Sequence, residues 1–520
     1  MAGTDNETPA PRQRRDGHRP RTRQARISDR QMPWRQPVNP FPPMAILSAD
    51  ALETIHEASL SILENPGIAI QSDTVRELCR QNGAEVLADG VRVRFDRALI
   101  DTVLSTVPAR FTITPRNPAR AVTLGDGHLA FATVSGPPNC SDLVRGRRPG
   151  SMADYEDFLR LSQLFNMVHV IGGYPVEPLD VPVPVRHLFG LRSMVTLTDK
   201  VPRIYCHTLQ RTRDAMEIIR LAAGLSEDEV TQAPICFAII NTNSPLQLDK
   251  AMVEGIAEMA RMNQPTVITP FTLAGAMAPV TLIGAIAQQN AEALAGVAVS
   301  QFARPGAPVV YGAFTTNVNM KTGAPAFGTP EYAKAALISG QLARRYRMPF
   351  RSSNINTSNA PDAQSAYESM MATWSAVAGG VNLLHQATGW LEGGLCASFE
   401  KFVLDIEMLQ LFAAFLTPEP VDAGSLALDA IREVGPGGHF FAAPHTLARY
   451  ETAFYAPLVS DWRNYDAWAD DGAKDATVRA SEIARTALAE YEDPGLDPAA
   501  AEAIDAFVAR RTEEGGAPVN

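Results

Sequence analysis

The sequence predicts a (β/α)8 barrel carrying a small N-terminal α+β domain and a mostly helical C-terminal cap. Three observations predict it. Eight short apolar runs rich in β-branched residues alternate with eight helical patterns between positions 128 and 416, and such alternation implies a parallel sheet. Eight consecutive units close into a barrel more readily than they build an open doubly wound sheet. The 520 residues are 46% hydrophobic and 20% charged, with mean hydropathy −0.07. That profile excludes global disorder, collagen and a membrane bundle.

The chain opens on an Arg-rich stretch with few large aliphatic residues, and residues 1–45 are expected to be a disordered basic tail. Arg14-Arg15 is not a twin-arginine signal, because no apolar segment follows it. Residues 46–125 read as the α+β domain. Its first helix starts at Ser48, whose hydroxyl can accept an early backbone N–H, with Asp50 and Glu53 near the positive helix end.

The barrel is expected over 126–420. Its strand runs are 128–134, 168–175, 203–209, 235–241, 266–271, 308–314, 349–355 and 381–387. The helices between and after them are 154–166, 185–198, 212–225, 246–262, 280–303, 330–346, 363–378 and 398–416. The uncharged stretch 262–291 is interrupted by Pro265, Pro270 and Pro279, so it reads as strand, loop and buried helix and not as a membrane span. Residues 421–520 form the cap, aromatic loops first and helices after.

Charge and cysteine usage narrow the function. The net charge is −11 and the pI about 5.4, which disfavours nucleic acid as a partner. Five cysteines without any C-x-x-C pair argue against structural zinc and a disulfide framework, and a reducing cytoplasm is the expected location. No P-loop, H-E-x-x-H or G-x-S-x-G occurs. Gly125–Ala130 matches G-x-G-x-x-A but precedes a strand, so it fails as a dinucleotide site. His439 and His445 sit in one Gly/Pro loop without further ligands, and no metal is expected.

In a barrel the chemistry lies at the C-terminal strand ends. Those ends and the adjacent runs supply Phe131, Tyr174, His207, Asn241, Phe271, Tyr311, Phe314, Asn354, His385 and Gln386 as binding candidates, with Glu331 at a helix start and Asn356 in the loop after the seventh strand.

Several blocks are specific as strings: GAFTTNVNMKTGAPAFGTPE at 312–331, NTSNAPDAQSAYE at 356–368, WLEGGLCASFEKFVLDIEML at 390–409, GHFFAAPHTLARYE at 438–451 and DGAKDATVRASE at 471–482. Together they resemble the trimethylamine methyltransferase (MttB) superfamily over residues 46–512. The resemblance implies a barrel that moves a methyl group from a methylated amine to a corrinoid protein. The family's archaeal members carry pyrrolysine just before an S-D-A-K-x-P-D-x-Q segment. Counting back from Pro361-Asp362, that position here is Ile355. An isoleucine offers no electrophile to hold a tertiary amine. A quaternary ammonium already carries its positive charge, so its methyl can be attacked directly by cob(I)alamin in an SN2 step that releases the tertiary amine.

The resemblance, with Ile355, therefore implies a quaternary amine donor of the glycine betaine, proline betaine or carnitine kind. The catalytic set it implies is Ile355, Asn356 and Glu331. Aromatic faces would hold the cation, at about 0.5–2 kcal/mol each, and polar groups at the strand ends would hold a carboxylate. The chain has no D-x-H-x-x-G motif, so the corrinoid is expected on a partner protein, with no intrinsic metal or nucleotide, and a homo-oligomer is expected. The competing readings are a betaine-binding sensor without catalysis, and trimethylamine use without pyrrolysine.

Overall fold

The computed structural model describes residues 26–518. The eight runs become eight parallel strands: β1 Ala130–Phe131, β2 Val170–Ile171, β3 Val201–Ile204, β4 Phe237–Ile240, β5 Thr266–Ile268, β6 Val309–Gly312, β7 Phe350–Ser353 and β8 Leu383–His385. Each is followed by a helix: α1 Met152–Leu164, α2 Val183–Leu197, α3 Leu209–Ala223, α4 Lys250–Arg261, α5 Leu282–Ala303, α6 Pro330–Arg345, α7 Ala363–Ala378 and α8 Phe399–Phe415. Neighbouring strands pair from β2 through to β8, and β8 pairs with β1. A bridge between Ala132 and Val170 closes the barrel.

The strands are short and buried on both faces, as in a sheet wrapped by helices. The helix positions follow capping chemistry. Thr208, Asp249, Thr329, Asp362 and Ser398 each accept a first-turn N–H at the start of α3, α4, α6, α7 and α8.

The N-terminal region is stitched to the barrel. Its first helix, Ala49–Glu64, is capped by Ser48 and packs on α5. Its sheet of Ile68–Ile70, Glu85–Val86 and Arg92–Arg94 takes a fourth strand, Gln247–Leu248, from the loop after β4. A hairpin of Phe111–Ile113 and Val122–Leu124 closes the barrel floor. Ile113, Val122 and Leu124 pack in one cluster with Ala130, Val170, Val201, Phe237, Val267, Val310 and Leu383.

The expected disordered tail is corrected over its described part. Residues 26–45 are ordered against the barrel, because they carry apolar anchors and satisfied backbone groups. Ile27 is buried, Met32 N donates to Gln410, and Leu129 N donates to Pro37 O and Met44 N to Ala378 O. Residues 1–25, with Arg14-Arg15, lie outside the described residues.

The C-terminal helices brace the outside of the barrel. Helix Ala476–Ala489 packs on α8 and α1, and helix Pro498–Glu513 on α2 and α3. The second is clamped by Arg511, whose Nε lies 2.8 Å from Asp214, the same carboxylate that pairs with His187 at 2.9 Å. Among the described residues no helix is long and apolar enough to cross a membrane.

His169, at the barrel's lower edge, predicts a pH dependence of stability. Its ring is fully buried, accepts from Phe131 N at 3.0 Å and donates to Arg35 O at 2.9 Å. Burial pushes its pKa down to about 4 from 6.5. Folded His169 stays neutral in that window while the unfolded chain takes up a proton. Its contribution is complete above pH 6.5 and is lost as pH falls towards 4, at up to about 1.4 kcal/mol per pH unit. The urea midpoint is expected to fall between pH 7 and pH 5, and less so in H169Q. An equal fall in both proteins would contradict this assignment.

Candidate active site

Three inward side chains form a polar layer below the barrel mouth. Val201 and Leu383 face the floor cluster, and two residues further along a strand the side chain faces the same way. That parity turns Arg203 and His385 inward. Phe350 packs outward in the main core, so its neighbour Arg351 also points in.

Arg203 Nη1 donates to Ser135 Oγ at 2.7 Å and to Gly172 O at 2.9 Å, and its guanidinium lies 4.6 Å from the Tyr205 ring centroid. Arg351, buried to 2% exposure, donates to Ala313 O at 3.3 Å and Gln386 Oε1 at 3.0 Å. Its guanidinium sits 5.2 Å from the Phe314 ring centroid. The hydrogen-bond partners of both guanidinium groups are neutral among the described residues, and the Nε of each is buried without a partner.

The electrostatics follow from that crowding. Burial, with the Arg203 charge adding to it, pushes Arg351 down to about 10. Burial and the same two arginines push His385 well below its ordinary value. His385 is therefore a neutral imidazole. Its Nε2 lies 3.1 Å from Gly172 O, which places the proton on Nε2 and leaves Nδ1 as an acceptor. Two buried cations without a carboxylate hydrogen-bonded to either are costly. An anion with two oxygens would relieve both.

Gly172-Gly173 make this approach possible. A Cβ on Gly172 would meet Thr133 O at 2.3 Å, and Gly173 has φ +122° with its Cβ position 2.7 Å from the Tyr205 hydroxyl. Gln386, the acceptor for Arg351, also sits in the left-handed region at φ 51°. A non-glycine residue there is held by its surroundings, and such positions cluster at ligand sites.

Aromatic side chains stand on both sides. Phe271 and Phe314 have centroids 5.1 Å apart, Phe314 and Phe327 stack at 5.7 Å, and Trp390 stands edge-on to Phe327 at 6.0 Å. Across the mouth Tyr174 and Tyr205 lie 4.6 Å apart, with Tyr205 5.3 Å from His207. The tyrosines border a cavity of about 100 Å³ whose other walls include Glu177, His187, His207 and Arg211. Burial raises the Glu177 carboxyl, against the charges of Arg186, Arg203 and Arg211. Burial and the two nearest arginines push His207 down to about 4. His207 also borders an open groove of about 640 Å³ with Asp249, Met252 and Glu254.

The site therefore combines two buried arginines at the barrel centre with aromatic walls at its rim. The family model for trimethylamine methyltransferase (MTTB) matches residues 12–516. The chain belongs to this family. Within it, the glycine betaine methyltransferase of Desulfitobacterium hafniense strain Y51 is 35% identical over 92% of this chain and 99% of its own. The trimethylamine methyltransferase MttB of D. hafniense is 27% identical over 91% and 95%. MttB2 of Methanosarcina mazei is 25% identical over 87% and 92%. The crystal structure of the Methanosarcina barkeri monomethylamine methyltransferase shares the fold, with TM-score 0.52 and 11% identity over 88% of this chain and 89% of that one.

For this member of the methyltransferase family the structure groups Tyr174 and His207 around Tyr205, and Phe271, Phe314 and Gln386 around Arg351, with His385 beside Gly172. Ile355 lies two residues past β7 and is fully buried. Other sequence-derived candidates make contacts elsewhere. Phe131 packs outward on His169 at 5.4 Å. The Tyr311 hydroxyl donates to Asn290 on α5. Asn354 donates to Ala387 O and Asp405, on the α8 side, and Asn356 to Trp390 O and Ser369, on the α7 side. Both asparagines tie mouth loops together through Nδ2, and the Oδ1 of each is buried without a hydrogen-bond partner. Glu331 is exposed in the first turn of α6, where an acid matches the helix dipole. Asn241 is exposed at the rim.

Sequence reasoning missed Arg203, Arg351, Tyr205, Glu177, Phe327 and Trp390. The arginines had a signal: each is a lone charge inside an apolar strand run, VPRIY and PFRSS.

Proposed function

We propose that this chain transfers a methyl group from a zwitterionic quaternary amine, a betaine, to a corrinoid carried by a partner protein. The observation that carries the reading is the pair of buried guanidinium groups, Arg203 and Arg351, neither of which is hydrogen-bonded to a carboxylate among the described residues. A substrate carboxylate between them would accept charge-assisted bonds from both. Gln386 and the Phe314 ring hold Arg351 in place, and Ser135 and Gly172 O hold Arg203.

A trimethylammonium group attached to that carboxylate would lie among the aromatic rings, whose faces attract cations. The burial of His385 keeps a third positive charge out of the layer. Ile355 contributes hydrocarbon only, so the substrate must bring its own positive charge to make the leaving amine neutral. The reading favours direct displacement, in which this chain binds, orients and dehydrates the donor.

The residues around the mouth fit a docked corrinoid protein. Leu143, Val144, Val280, Met320 and Leu395 are each more than half exposed, and all lie in loops that follow β1, β5, β6 and β8. When docked, the corrinoid would supply a reduced cobalt nucleophile, and this rim would set its approach. The test is anaerobic methyl transfer to free cob(I)alamin with donors offered one at a time. Betaines should react, while choline, which lacks the carboxylate, and trimethylamine, which lacks the charge, should not. Reaction with trimethylamine would refute the reading.

A further inference from the structure

We infer that residues 417–457 form an arm exchanged between two copies of this chain. The arm leaves α8 at Leu416 and returns to the same helix, where Leu458 N and Val459 N donate to Glu407 at 2.7 and 3.0 Å. Glu407 and Leu416 are about 14 Å apart along one helix. An excursion of about 40 residues is far longer than that gap requires. It carries only short helices, Ala423–Leu426, Leu428–Val434 and Pro444–Leu447, and almost none of it is buried. Phe441 is 84% and Phe454 85% exposed, and Tyr450 is exposed beside them.

Among the described residues a second exposed apolar surface lies at the arm's base, beside Phe41, whose ring centroid is 5.2 Å from that of Phe415. Tyr367 and Trp374 on α7 and Phe415 on α8 are each about half exposed or more. The one charge on α7 is Glu368, and its carboxylate is taken by Thr357 N and Ser358 N at 2.7 and 3.2 Å. A helix face turned to water carries free charge, and this face has none.

These six aromatic side chains expose roughly 800 Å², about what one partner buries in a standard stable interface. A transient partner's interface is no more apolar than ordinary surface, whereas a permanent homodimer's is. A two-fold pairing lays each arm on the other copy's α7–α8 face and covers both surfaces with one contact used twice. The arm leaves at the barrel's lower end, where Arg35 donates to Thr417 Oγ1 at 2.5 Å, so the pairing keeps the mouth open. The inference is independent of the chemistry proposed above.

The test is sedimentation velocity on the full chain at micromolar concentration. The unmodified protein should be a dimer or a higher even assembly. An arm variant, F441E/F454E, and a face variant, W374E/F415E, should each be monomeric with unchanged far-ultraviolet circular dichroism. Mixing the two variants should restore dimers, since one intact arm then meets one intact face. The milder F441S and W374S should weaken the dimer in the same direction if the charged variants fail to fold. A monomeric unmodified protein, variants that stay dimeric, or a mixture that stays monomeric would overturn the exchange.

Discussion

Replacing Arg351 by methionine is expected to abolish most betaine turnover while leaving the protein as stable as before, or more so. Truncating one partner of a buried charge pair costs about 2–5 kcal/mol, which is a loss of about 30-fold to several thousandfold in kcat/KM. The stability sign is opposite, because the free protein holds the Arg351 guanidinium buried against neutral partners only. Methionine removes that desolvation cost and fills a similar volume. Activity lost together with stability would mean that Arg351 is structural. R351K, which keeps the charge and loses the forked geometry, should fall between the two. Urea midpoints and initial rates measured on the same preparations separate these outcomes.

Asp405→Ala is expected to give the largest loss of stability. Asp405 and Lys401 form a fully buried ion pair one turn apart on α8. Lys401 Nζ also donates to Ser369 Oγ at 3.0 Å. Asp405 accepts from Gly389 N at 2.8 Å and Asn354 Nδ2 at 3.2 Å, so it ties the loops after β7 and β8 to one helix. Alanine would strand the Lys401 ammonium in the core at a cost of about 3–5 kcal/mol. The double variant K401M/D405L removes both charges and should recover most of the stability. Turnover should not recover with it, since Gly389 and Asn354 lose their anchor. A single variant within 1 kcal/mol of the parent, on the roughly 1 kcal/mol scale of an ordinary substitution, would contradict this account.

The fold was legible because its signals are local. Each barrel strand has a β-branched apolar run, and most helices start at a hydroxyl or carboxylate cap. The side chains facing the barrel axis were less legible, and the reason is physical. Strands buried on both faces lack the alternation that marks inside from outside. At the level of sequence Phe131 and Tyr311, inside strand runs, and Phe314, at a strand end, are all binding candidates, yet the first two face the helices. Arg203 and Arg351 needed parity relative to Val201 and Phe350, which only the closed barrel fixes. Phe327 and Trp390 come from excursions after β6 and β8, and nothing local to them specifies that they meet. The order of residues 26–45 is not legible locally, because sparse anchors such as Ile27 and Met32 find their partners, Glu490 and Gln410, more than 100 positions away.

The most direct measurement is a calorimetric and kinetic comparison of glycine betaine with choline, with R351M as the control. Glycine betaine should bind the parent protein and donate its methyl to cob(I)alamin. Choline should do neither, and R351M should lose its preference for the carboxylate. Equal binding and turnover of the two donors, unchanged in R351M, would contradict the claim that Arg203 and Arg351 select a zwitterion.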